Sequence, residues 1–145
     1  MPVFHSRCHC GNLQAEFETR LRAEEHTLRS CQCSFCTRHR TRTVVDKDGR
    51  ARIRVLDPEL LSRYQWNTRS AEFLVCRRCG NYLGAAMPTN GGGWVMAVNV
   101  NLFDESSQFT QEALKVSYDN EPVEARRLRR ESTWTPTIWQ HTTRQ

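Results

Sequence analysis

Phe73-Leu74-Val75-Cys76-Arg77-Arg78-Cys79-Gly80 is an apolar run that ends in two cysteines on C-x2-C spacing and a glycine. A strand that delivers such a pair to a tight turn is the arrangement of zinc ribbons, in which strands and metal organise the fold. Near the amino terminus Cys8-His9-Cys10-Gly11 repeats the theme with C-x-C spacing. Leu13, Ala15 and Phe17 then alternate with Gln14, Glu16 and Glu18, the period-two pattern of a half-buried strand. The two pairs together, Cys8, Cys10, Cys76 and Cys79, supply the four thiolates of a closed structural zinc site.

The remaining cysteines form one cluster, Cys31-Gln32-Cys33-Ser34-Phe35-Cys36. Three sulfurs this close can grip one tetrahedral ion from a single loop and leave its fourth corner to a substrate. Spacing alone leaves a second arrangement standing, in which His39 or His9 completes a closed site of three thiolates and one imidazole. Three thiolates give a zinc site about one net negative charge, which makes the ion a weak Lewis acid but a good partner for another sulfur. A substrate thiol bound there would lose its proton. The chemistry expected is addition of a thiolate to an electrophile, or its reverse.

Composition agrees with this reading. At 145 residues, 38% apolar and 26% charged, the chain is sized for a single zinc-binding domain over residues 1–145 with a modest core that metal binding supplements. No leader opens the sequence and no apolar run approaches the roughly 18 residues that span a bilayer. An odd count of seven cysteines without a leader points to metal in a reducing, cytoplasmic compartment rather than to disulfides. The formal charge of +5 counts thiols as neutral; seven thiolates remove seven charges and two zinc ions restore four, leaving +2. That balance argues against nucleic acid as the partner. The basic run Arg126-Arg127-Leu128-Arg129-Arg130 is too short, and too poor in aromatic neighbours, to define a nucleic-acid face.

Elsewhere the pattern is of short strands. They are expected at 27–30, around Val44-Val45, at 53–56 running into an Asp57 cap with Pro58 in its first turn, and as a hairpin over 63–67 and 72–75. The clearest strand is 94–102, with Trp94, Met96, Val98, Val100 and Leu102 on a core face and Asn99 and Asn101 on the other. A helix is expected over 122–131, acidic early and basic late. Trp66 and Tyr64 read as core residues. His5, His26 and His141 have no partner pattern and receive no role.

The ordered cysteine clusters, the 73–80 stretch and Val98-Asn99-Val100-Asn101-Leu102-Phe103-Asp104 resemble the glutathione-dependent formaldehyde-activating family, which also includes centromere protein V. With Trp134-Thr135-Pro136, the resemblance spans about residues 3–139. It implies an all-β fold of the β-tent type, several coiled sheets with short helical turns, two zinc ions and carbon-sulfur lyase activity. The reaction implied is the formation or cleavage of a thiol adduct of an aldehyde, glutathione with formaldehyde giving S-(hydroxymethyl)glutathione. By position, Cys8, Cys10, Cys76 and Cys79 would hold the structural zinc and Cys31, Cys33 and Cys36 the catalytic one. His39 is then the nearest proton donor in sequence. Arg38, Arg40 and Arg42, on one face if the segment is extended, are candidates for glutathione's carboxylates, as are Asn99 and Asn101 for polar contacts. The alternatives are a non-catalytic two-zinc module that binds protein or nucleic acid, and a zinc store or redox sensor.

Overall fold

The structure, a computed structural model, describes residues 1–140. In chain order its elements are β1 (Val3–Arg7), β2 (Leu13–Glu18), β3 (Arg29–Cys31), α1 (Ser34–His39), β4 (Thr43–Val44), β5 (Arg50–Val55) and β6 (Leu61–Tyr64). They continue as β7 (Glu72–Cys76), β8 (Tyr82–Pro88), β9 (Trp94–Asn99), β10 (Leu114–Val116), α2 (Val123–Thr133) and β11 (Thr135–Gln140). The fold is all-β with few short helices, as the sequence pattern implies. No helix among the described residues is long and apolar enough to cross a membrane.

The strands form one branched network ordered β1-β2-β5-β11-β9-β4-β3-β10, with β8, β7 and β6 leaving β9 on its other edge. Pairing is antiparallel except for β11 with β5 and β10 with β3. The branch arises because β9 is shared along one edge: its first half pairs with β11, and Val98 and Asn99 pair with β4. The core follows from alternation. In β5, Ala51, Ile53 and Val55 are buried while Arg50, Arg52 and Arg54 face water. Under that face Phe4, Phe17, Phe103 and Phe109 pack with ring centroids 5.0 to 6.4 Å apart, and buried His26 joins them.

Several expectations shift. The strand expected at 27–30 begins at Arg29, and the segment after the cysteine triplet is not extended but helical, as α1. The strand expected to run to Leu102 ends at Asn99 and passes into a 3-10 turn over Val100–Leu102. Its second face is buried too, Val95 packing with Ala71 and Met87 against Phe73 and Trp134. Asp57 caps the turn Pro58–Leu60 as expected, its carboxylate accepting from the Glu59 amide at 3.1 Å. Tyr64 is 49% exposed rather than core. The expected helix forms, as α2.

Gly84 fixes how closely β8 and β9 approach, because a methyl group built on it runs into the Ala97 carbonyl oxygen and lies 3.2 Å from the Val98 Cα. Both obstacles are backbone, so they cannot turn aside. Gly84→Ala is expected to destabilise the fold by about 2 kcal/mol through forced strand separation; a denaturant midpoint equal to that of the parent would contradict this.

Candidate functional site

Two turns of the same build bring the first four cysteines together. Gly11 and Gly80 each follow their cysteine pair with φ near +80° (83° and 81°), a left-handed conformation that glycine adopts without a Cβ clash. Their amides donate to the Cys8 and Cys76 carbonyls, both at 2.9 Å. Asn81 fastens one turn to the other: its Oδ1 accepts from the His9 amide at 2.6 Å and lies 3.6 Å from Cys79 Sγ. The sulfurs of Cys8, Cys10, Cys76 and Cys79 all fall within 4.8 Å of one another.

The fit to a metal is quantitative. A tetrahedral ion with Zn–S bonds of about 2.3 Å spaces its sulfurs about 3.8 Å apart. Cys8 and Cys10 sulfurs are 3.7 Å apart, and Cys10 and Cys76 sulfurs 3.5 Å. A disulfide would need about 2.05 Å, and all seven cysteines are free. Burial pushes the Cys8 thiol up to about 12, opposed by the Leu13 amide, which donates to its sulfur at 3.2 Å. Four thiolates this close repel one another, and a cation between them offsets that repulsion.

The second group, Cys31, Cys33 and Cys36, is also within 4.8 Å, and neither His39 nor His9 belongs to it. Cys31 ends β3, and Cys33 caps α1, its sulfur accepting from the Cys36 amide at 3.3 Å. Hydrogen bonds from the Cys31 and Cys36 thiols, aided by that amide, pull Cys33 down to about 2. The same partners push Cys36 far up, with burial adding to the effect. Three sulfurs this close oppose one another's deprotonation, and a metal ion relieves that opposition.

These three sulfurs, unlike the other four, line a cleft of about 160 Å³. Its walls include Thr43, Phe73, Tyr82, Trp66 and Trp134, and α2 closes one side with Arg126, Arg129 and Arg130. Trp66 is therefore a cleft residue, standing edge-on to Phe73 at 5.9 Å, and not a core one. Tyr82 is 3% exposed; burial, and then the charge of Cys36, Cys33 and Cys31, raises its phenol well above the ordinary value. It remains a proton-bearing hydroxyl across the physiological range.

The other expected site residues are placed differently. His39 is exposed, does not line the cleft, and stacks on Phe35 at 4.5 Å. Arg38 turns back to the Ser34 carbonyl at 2.7 Å, and Arg40 caps α1 with φ at 49°. With α1 helical, Arg38, Arg40 and Arg42 do not form a common extended face. Asn99 donates to the Tyr82 carbonyl at 2.9 Å and accepts from the Asn101 amide at 3.1 Å. Asn101 in turn donates to the Arg40 carbonyl and accepts from Arg42 Nε, both at 2.9 Å. Both amides therefore brace the frame around the cleft. His5 pairs with Glu105 at 2.9 Å on the surface, and His141 lies outside the described residues.

The arginine run of α2 does not make an exposed basic face. Arg126 and Arg130 are buried, and Arg129 stacks on Tyr118 at 3.6 Å. The sequence read this run only as a candidate surface patch. The overlooked signal was the i, i+4 spacing of Arg126 and Arg130, which puts both on one helix face with Trp134 just beyond.

Comparison with known proteins agrees with the geometry. A family profile described as glutathione-dependent formaldehyde-activating enzyme matches residues 3–119, ending before α2. Among solved structures, a protein of Rhodobacter sphaeroides is similar, with 28% identity and a TM-score of 0.56 over 77% of this chain and 99% of that one.

Proposed function

The chain belongs to the glutathione-dependent formaldehyde-activating family, and from that premise we propose that it is a carbon-sulfur lyase joining a thiol, glutathione, reversibly to formaldehyde or a related aldehyde. The observation that carries this reading is the triplet Cys31, Cys33 and Cys36 on the wall of a cleft, with no fourth ligand in its group among the described residues. Cys8, Cys10, Cys76 and Cys79 would hold a structural zinc ion. The triplet would hold a second, which when bound supplies a soft site that lowers the pKa of a substrate thiol.

The chain's own residues provide the rest. Hydrogen bonds from Cys31 and Cys36 lower the Cys33 thiol, which would favour its binding a cation. Phe73, Trp66 and Trp134 give the cleft a half-buried apolar wall, which would favour thiol addition over hydration of the aldehyde. Tyr82, which lines the cleft, would donate a hydrogen bond to the carbonyl oxygen as it gains charge, in place of the exposed His39. Asn99 holds the Tyr82 backbone in place through its carbonyl.

Titration of glutathione into the cobalt-substituted protein tests the reading, alongside exchange NMR of the formaldehyde adduct. New sulfur-to-metal absorption at one of two cobalt ions and accelerated exchange are expected. An unchanged spectrum with uncatalysed exchange would return the chain to the non-catalytic module. Tyr82→Phe is expected to slow exchange about 100-fold with metal content unchanged. A larger loss in His39→Ala than in Tyr82→Phe would make the imidazole the donor.

A further inference from the structure

Helix α2 is amphipathic in reverse. Leu128 is 63% exposed and Val123 is 42% exposed, while Arg126 and Arg130 are only 8% and 9% exposed. A helix that packs for stability alone turns its apolar side chains inward. This one turns a stripe of arginines, spaced i, i+3 and i+4, onto the cleft that the Cys31, Cys33 and Cys36 sulfurs also line.

The buried charges there are not balanced. Glu121 serves two guanidinium groups at once, Arg129 at 3.1 Å and Arg126 Nε at 3.7 Å. Arg130 has no carboxylate within salt-bridge distance among the described residues; its Nη1 donates to Ser70 Oγ at 2.8 Å and its guanidinium lies 4.9 Å from the Trp134 ring centre. The Nε atoms of both Arg126 and Arg130 are buried without a hydrogen-bond partner. Burial, with repulsion from Arg129 and Arg126 that Glu121 only partly offsets, lowers Arg130 to about 10. Buried guanidinium groups are tolerated when something anionic completes them, and a planar guanidinium matches a carboxylate.

We infer that Arg126 and Arg130 form a carboxylate-binding subsite of the cleft, which takes a carboxylate of the thiol substrate and thereby selects a peptide thiol of the glutathione class over small neutral thiols. The inference rests on the proposed thiol chemistry for its orientation, with the substrate's sulfur toward the cysteine triplet and its carboxylate toward α2. The cleft volume of about 160 Å³ is below the roughly 300 Å³ usual for small-molecule sites, so only part of a tripeptide is enclosed and the anchor matters the more. Helix α2 lies beyond the residues 3–119 that the family profile matches, so this wall is argued from this chain's own residues.

S-Methylglutathione is the probe, since it keeps both carboxylates and has no free thiol. Its binding can be followed by quenching of Trp66 and Trp134, which line the cleft. The metal-loaded protein is expected to bind it about tenfold or more tightly than its diethyl ester. Arg126→Met and Arg130→Met should each weaken acid binding by a similar factor and leave the ester unaffected, whereas Arg127→Met, which removes the same charge off the cleft, should change it less than about twofold. Equal affinity for acid and ester, or no binding of the acid, overturns the subsite, and both comparisons use the unaltered protein. Arginine-dependent binding of the acid without catalysed formaldehyde exchange would leave the subsite standing and sink the reaction. Catalysed exchange with equal acid and ester binding would do the opposite.

Discussion

Cys8→Ser is expected to leave the chain without a cooperative thermal transition and without the metal ion of the four-sulfur group. Cys8 is 1% exposed and sits in the buried half of the four-sulfur group, so serine there is a poor ligand with no water to compensate it. Structural zinc contributes apparent binding energies of about 10–16 kcal/mol in small domains. Whole domains are stable by about 5–15 kcal/mol, so loss of this ion exceeds what the aromatic core retains. Circular dichroism melts with metal analysis on the same sample check this. A cooperative melt within a few degrees of the parent would mean that the sheet network stands without the metal.

Cys33→Ser is expected to behave in the opposite way, folding normally but losing one metal ion and nearly all activity. The substitution is chosen because Cys33 caps α1 through its sulfur, and serine is itself a favoured cap for that position. The helix is therefore kept while the soft ligand is lost. Metal-assisted charge stabilisation is worth several kcal/mol, which corresponds to a fall of about 10³-fold in rate. Cys33→Ala would add a cap loss of about 1 kcal/mol and so separate the two roles. If Cys33→Ser and Cys8→Ser unfold alike, the division into a closed and an open site is wrong.

The sulfur groups were legible in the sequence because each pair or triplet is local, and a tetrahedral ion tolerates only a few spacings. The Asp57 cap and the 122–131 helix were legible for the same reason, as local rules with local residues. Strand β8 was not. Tyr82–Pro88 is apolar almost throughout, so it lacks the alternation of a one-faced strand; it is buried on both faces, Leu83 and Ala86 in the main core and Met87 in a second cluster with Ala71 and Val95. The helical turn at Ser34–His39 was missed because its cap is a cysteine that also reads as a ligand. The arginines of α2 were visible as charge but not as buried charge. Their meaning depends on the cleft that faces them, and the cleft is made by segments far away in the chain.

The distance along the chain between the two halves of the four-sulfur group has a consequence for how the protein is made. Cys10 and Cys76, whose sulfurs touch in the folded state, are separated by 66 positions. At about 5–20 residues per second of synthesis, the early pair waits roughly 3–13 s for the later one to leave the ribosome. The triplet at Cys31, Cys33 and Cys36 emerges within that interval and is complete as soon as it appears. On the nascent chain it therefore meets the metal supply before the closed site exists. The triplet is the first group able to load, and the four-sulfur group is the last.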